Sequence, residues 1–88
     1  MIDHRLTVLR TFAACGSVTA AAEALDYSPS AVSAHLRGLQ KELGLRLVEK
    51  DGRGLRLTAA GRRLVDGSDA LFAQWEAVRG SLSAGGAP

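Results

Sequence analysis

Ser28, Pro29, Ser30, Ser33, Ala34, Arg37 and Lys41 follow one another at spacings that a helix converts into a surface. On a helix, Ser30, Ser33, Ala34, Arg37 and Lys41 lie opposite the apolar stripe Val32, Leu36, Leu39 and Leu43. Their face is short and polar at its start and cationic further along. Hydroxyls there can donate and accept hydrogen bonds, small side chains permit close approach, and the cations call for an anion. A second feature is Lys50-Asp51-Gly52-Arg53-Gly54, a turn rich in glycine and charge. Arg53 stands between two glycines, so its guanidinium is held out on a slim backbone. Arg62 and Arg63 form a third. They fall in the first turns of a helix, where cations oppose the dipole and a phosphate would relieve the conflict.

The charge is distributed in the same sense. Residues 28–63 carry Arg37, Lys41, Arg46, Lys50, Arg53, Arg56, Arg62 and Arg63 against Glu42, Glu49 and Asp51, while the segments on either side are net acidic. Such clustering suits a polyanion, because each neutralised phosphate releases counterions. A helix whose first turn is small and polar can enter a DNA major groove, and an arginine on a slim turn suits the narrow, negative minor groove. His35, on the flank of the same helix, is a lesser candidate for a groove or phosphate contact.

Enzyme chemistry is not expected. His4, His35, Cys15 and the scattered carboxylates show no nucleophile–base or metal-ligand grouping, so no catalytic residue, metal or cofactor is assigned. No apolar run reaches the roughly 18 residues of a membrane span, and the opening residues lack a signal-peptide core. The single cysteine excludes an internal disulfide. A cytoplasmic protein is the expectation, with no membrane partner.

The elements that must position these residues are legible from caps and periodicity. Residues 3–15 read as a helix capped by Asp3 and closed by Gly16, with Ile2, Leu6, Leu9, Phe12 and Ala13 along one side. A short second helix, Ala20 to Leu25, is expected to be capped by Thr19. Its alanines are small enough for close helix crossing. Asp26-Tyr27-Ser28 is a short turn, with Tyr27 as a packing residue, and the third helix runs from Ser28 and Pro29 to Gly44. Leu45 and Leu47, then Leu55 and Leu57, alternate as two strands of a hairpin. Thr58 caps a last helix reaching to about Leu82. There Leu64, Leu71 and Val78, interleaved with Ser68, Trp75 and Leu82, make a short heptad seam for a second copy. Val65 and Phe72 would pack on the body. The expected division is 1–58 as a winged helix-turn-helix, 59–82 as a linker and dimerisation helix, and 83–88 as a flexible tail. The fold class is mainly α, with a three-helix core and a two-stranded wing.

The order of parts resembles the N-terminal DNA-binding domain of LysR-type transcriptional regulators. The matching residues are Phe12, Gly16-Ser17, Thr19, Ala21-Ala22, Leu25, Ser28, Ala31-Val32-Ser33, Leu36, Leu39, Glu42-Leu43-Gly44, Leu47, Glu49, Leu57-Thr58 and Gly61. The resemblance implies a homodimer whose linker helices pair antiparallel, with higher oligomers open to an intact protein. It places the third helices in adjacent major grooves of an imperfect inverted repeat in double-stranded DNA. Positions Pro29, Ser30 and Ser33 then approach bases or phosphates, and Arg53 lies over the minor groove. Two departures stand out. Pro29-Ser30 replaces a frequent Gln-Pro, and Ala34 replaces a frequent arginine, which removes a bidentate guanine contact. Family members also continue into an effector-binding domain, so this chain is expected to be the DNA-binding portion, without a small-molecule site. The rival is a winged-helix module that binds protein rather than DNA.

Overall fold

The computed structural model describes residues 3–85. In chain order the elements are α1 (His4–Cys15), α2 (Val18–Leu25), α3 (Pro29–Leu43), β1 (Val48–Asp51), β2 (Gly54–Leu57) and α4 (Ala59–Gly85). The expected places of Ile2 and of the last three residues lie outside the described part. Among the described residues, no helix is long and apolar enough to cross a membrane.

Capping chemistry sets the helix boundaries. The Asp3 carboxylate accepts the Arg5 backbone N–H at 2.9 Å, and Gly16 closes α1 at φ 84°. Ser28 accepts the Ala31 N–H at 3.1 Å, Pro29 follows at the first helical position, and Gly44 closes α3 at φ 66°. The cap of α2 differs from expectation. Ser17, not Thr19, is extended and accepts the Ala20 N–H at 3.0 Å, so α2 begins at Val18. With two hydroxyl residues so close together, the cap is the one whose oxygen meets an N–H three positions on.

The core joins Leu6, Val8, Leu9 and Phe12 of α1 to Ala21 and Ala22 of α2 and Val32, Leu36 and Leu39 of α3. Leu47, Val48 and Val65 close it from the wing side. Ala21 and Ala22 are buried where α2 crosses its neighbours, the close contact that small side chains permit. Leu43, on the expected apolar stripe, is instead exposed: it is the last residue of α3, and the stripe outlasts the core.

The wing is shifted relative to the leucine alternation. Its two strands pair antiparallel as Val48 with Leu57, Glu49 with Arg56, Lys50 with Leu55 and Asp51 with Gly54. Gly52 and Arg53 alone form the loop, and Gly52 takes φ 61°, the positive φ that glycine supplies most easily at the first position of a tight hairpin. Counting back from that loop leaves Leu45 and Leu47 outside β1. Leu47 is buried as an anchor and Leu45 is exposed.

Thr58 joins wing to α4. Its N–H donates to the Leu47 carbonyl at 3.0 Å, and its Oγ1 accepts the Gly61 N–H at 3.0 Å while donating to the Arg46 carbonyl. Gly61 lies so close to the connector that a Cβ would stand 2.1 Å from the Leu47 carbonyl oxygen. Only glycine fits that approach. From there α4 is helical through Gly85, past the expected end at Leu82, so residues 83–85 continue the helix instead of forming a tail.

One side of α4 rests on α1. Arg10 donates to Ser68 Oγ at 2.9 Å, pairs with Asp69 and lies with its guanidinium carbon 4.3 Å from the centre of the Phe72 ring. Val65 and Phe72 pack on the body as expected. Two heptad positions belong to that body too. Leu64 is half-buried against the core, and Ser68 is buried, donating to the Val65 carbonyl. The apolar positions that α4 leaves exposed are Leu71 (50%), Trp75 (38%), Val78 (41%) and Leu82 (68%).

Candidate nucleic-acid interface

The structure turns α3 so that Ser30, Ala34, Arg37 and Lys41 are all exposed, while Val32, Leu36 and Leu39 face inward. Ser28 and Pro29 open the helix on the same solvent side, with the Ser28 hydroxyl engaged as the cap. Ser33 stands at the margin between helix and wing. It borders an open groove of about 760 Å³ with Ser17 and Thr19 at the start of α2 and Lys50 and Arg53 of the wing. Ser33 also borders a second groove with Arg37, Gln40, Arg46, Lys50 and the Arg56-paired Glu49, and Arg37 borders a third with Gln40, Lys41 and Arg46. A continuous run of hydroxyls and cations therefore links the start of α2, the outer face of α3, the connector and the wing tip.

Ion pairing sorts the cations. Arg5 pairs with Asp3 and Glu42, Arg10 with Asp69, Arg56 with Glu49, and Arg79 with Glu76. Arg37, Lys41, Arg46, Lys50, Arg53, Arg62 and Arg63 have no carboxylate partner among the described residues. The paired arginines bind elements to one another or lie along their own element.

The arrangement gathers Ser33, Arg37, Lys41 and Arg53 but sets Arg62 apart. Arg62 borders a groove between α1 and α4 shared with Arg10, Asp66 and Asp69, so acidic groups dilute its charge. Arg63 is exposed near the start of α4. His35 is half-buried. Its ring stacks on Tyr27 at 5.8 Å between centroids and meets His4 edge-on at 5.4 Å, while His4 Nε2 contacts the Tyr27 hydroxyl. Tyr27 is thus a packing residue, and His35 packs against it and against His4 of α1.

Sequence reasoning passed over four residues of this surface: Ser17 and Thr19 at the mouth of the groove shared with Arg53, and Arg46 and Lys50 along the connector and wing. The signal for the cations was present in their charge. Their shared surface appears only when the connector folds back on α3. Gln40 was missed as well. Its Oε1 accepts the N–H groups of Leu47 at 2.8 Å and Val48 at 3.1 Å.

Comparison with known proteins agrees with this geometry. Residues 4–62 match the family described as bacterial regulatory helix-turn-helix protein, lysR family. The HTH-type transcriptional activator BauR of Pseudomonas aeruginosa is 36% identical over 78 residues, covering 89% of this chain and 26% of BauR. The HTH-type transcriptional regulator YofA of Bacillus subtilis is 37% identical over 67 residues, covering 76% of this chain and 24% of YofA. The chain thus spans about a quarter of the length of these curated relatives. Among solved structures, full-length LysG of Corynebacterium glutamicum with bound effector Arg superposes at a TM-score of 0.83 with 29% identity, over 96% of this chain and 29% of that one. The BenM DNA-binding domain in complex with catB site 1 DNA superposes at 0.91 over 100% of this chain and 99% of that one; at 20% identity this likeness concerns the fold. A winged helix-turn-helix with these relatives, matched across most of its length by one family pattern, belongs to the LysR family of bacterial regulatory proteins.

Proposed function

We propose that this chain is the sequence-specific, double-stranded DNA-binding part of a bacterial transcriptional regulator, acting in the cytoplasm as a homodimer on an imperfect inverted repeat. The observation that carries the reading is the run of cations without an ion-pair partner among the described residues, Arg37, Lys41, Arg46, Lys50 and Arg53, beside the small, polar first turn of α3; the one carboxylate bordering their grooves, Glu49, is paired with Arg56. Ser30, Ser33 and Arg37 face base edges and flanking phosphates in the major groove, with Ser28, Pro29 and Ala34 lining the approach. Arg53 enters the minor groove. Lys41, Arg46, Lys50 and Arg63 hold backbone phosphates, and Arg62 contributes less because Asp66 and Asp69 share its groove. Residues 1–58 read the DNA, and 59–82 join two copies through Leu71, Trp75, Val78 and Leu82, with Leu64 supporting the helix from the body side.

The test is duplex binding across salt. If six or more phosphates are neutralised, affinity should fall roughly 10³-fold between 50 and 200 mM salt. Selection from a random duplex pool should return a two-fold symmetric motif. A flat salt response with no enriched motif would favour a protein-binding module on the same fold.

A further inference from the structure

We propose that Gln40 is the positioning residue that ties the wing to the recognition helix and so sets where Arg53 meets DNA, an inference that rests on the DNA-binding reading above. Gln40 is polar, sits on α3 and borders two grooves of the contact surface, but its side-chain oxygen is turned to the backbone of the connector. Its two carbonyl groups organise the whole connector. The backbone oxygen accepts the N–H groups of Gly44 at 2.8 Å and Leu45 at 3.2 Å, ending the helix. The side-chain Oε1 accepts those of Leu47 at 2.8 Å and Val48 at 3.1 Å, starting the wing. Residues 44–48 are therefore wound around one side chain and its own peptide.

The amide orientation follows from its partners, since two N–H donors require the oxygen, not the NH₂, to face them. Both donors are part-buried, and losing their acceptor leaves two backbone groups unsatisfied. Leu47 also receives the Thr58 N–H, so the same anchor carries the start of α4. Arg53 lies at the far end of a two-stranded ribbon whose first residue is Val48. A change of tilt at Val48 is amplified along β1 to the tip.

The charge of the acceptor matters separately. Gln40 shares grooves with Arg37, Arg46 and Lys50, and one of them with Glu49, whose charge is taken up by Arg56. A carboxylate would accept the same two N–H groups but place a negative charge beside those cations. Geometry and charge can thus be varied independently, by Gln40→Met, which removes the acceptor, and by Gln40→Glu, which keeps it.

The experiment is a double-mutant cycle between Gln40 and Arg53, read as affinity for a selected duplex with A/T-rich flanks, using the full 88-residue chain. Arg53→Ala alone should weaken binding about tenfold, as expected for loss of one good groove contact. In the Gln40→Met background the same change should cost less than about threefold, because the wing no longer delivers its arginine. In the Gln40→Glu background the tenfold effect should return, although overall affinity is lower. An undiminished Arg53→Ala effect in Gln40→Met would overturn the proposal, as would failure of Gln40→Glu to restore it.

Amide exchange without DNA supplies a second readout. The N–H groups of Leu47 and Val48 should be protected in the parent and in Gln40→Glu and exposed in Gln40→Met. If Gln40→Met does not fold, protection of both amides in the parent and in Gln40→Glu, together with a full Arg53 effect in Gln40→Glu, supports the anchor; exposure in either protein refutes it. A parent that binds no duplex but keeps both amides protected would sink the DNA reading while leaving the wing anchor standing.

Discussion

The role proposed for Arg53 depends on its neighbours. Two glycines flank it, a two-residue loop presents it, and no carboxylate among the described residues restrains it. Arg53→Ala should therefore lower duplex affinity about tenfold, with the larger loss on A/T-rich flanks where the minor groove is narrow. Equal binding of parent and variant to every duplex in a titration series would rule out the wing contact. Asp3 shows residue-scale electrostatics of another kind. The Arg5 side chain, and then the Arg5 backbone N–H, hold its carboxyl down at about 2, below the usual 3.8. A depressed carboxyl stabilises the fold above its unfolded value and loses that contribution as pH falls through its folded value. The pair is exposed to solvent, so the effect is small. Between pH 4 and pH 2 the melting temperature of the parent should fall slightly further than that of Asp3→Ala. Parallel losses in calorimetry would show that the cap does not titrate there.

Between elements, the contacts that matter are those that fix angles. α3 is joined to the wing through Gln40, the wing to α4 through Thr58 and Gly61, and α4 to α1 through Arg10. Gly61 is the tightest of these, since its missing Cβ leaves room for the Leu47 carbonyl. The obstructing atom is backbone and belongs to a buried, twice-anchored residue, so it cannot move aside at low cost. Gly61→Ala should destabilise the chain by about 2–3 kcal/mol through overpacking. That corresponds to a fall in melting temperature of roughly 8 °C or more for a domain of this size. A Gly61→Ala protein that melts with the parent would mean that α4 can lift from the connector without penalty.

At the scale of the whole molecule, the proposed homodimer rests on α4. The described residues leave Leu71, Trp75, Val78 and Leu82 exposed along a helix of 27 residues, roughly 40 Å at ~1.5 Å per residue. The exposed stripe from Leu71 to Leu82 covers roughly 17 Å of that rod, and in the proposed dimer its twin covers it. Trp75→Glu should give a monomer in sedimentation and lose most affinity for a two-half-site duplex while keeping weak binding to a single half-site. An unchanged dimer would place the contact elsewhere. Because Arg10 holds α4 to α1, the direction of α4 is set by the same body that carries α3, so in the proposed dimer the spacing of the two copies of α3 would follow from the fold.

Local signals in the chain already specified much of this. Asp3, Ser28 with Pro29, Gly16 and Gly44 mark helix ends by capping chemistry that acts within a few residues, and Val32, Leu36 and Leu39 mark a buried face by their period. The outward face of Ser30, Ala34, Arg37 and Lys41 follows from that same period. What needed the folded molecule were the competitions between equivalent local signals and the contacts across the chain. Ser17 and Thr19 were both able to cap α2, and one hydroxyl met an N–H. Leu45 and Leu47 alternated like a strand, but the two-residue loop and the Gln40 anchor fixed pairing from Val48 onward. Leu64 and Ser68 fitted a heptad, yet Arg10 and the core claimed them for the body. Capping and periodicity are energies of neighbours along the chain and can be read in order. The sharing of one surface among α1, the wing and α4 depends on distances that exist only after the chain has closed on itself.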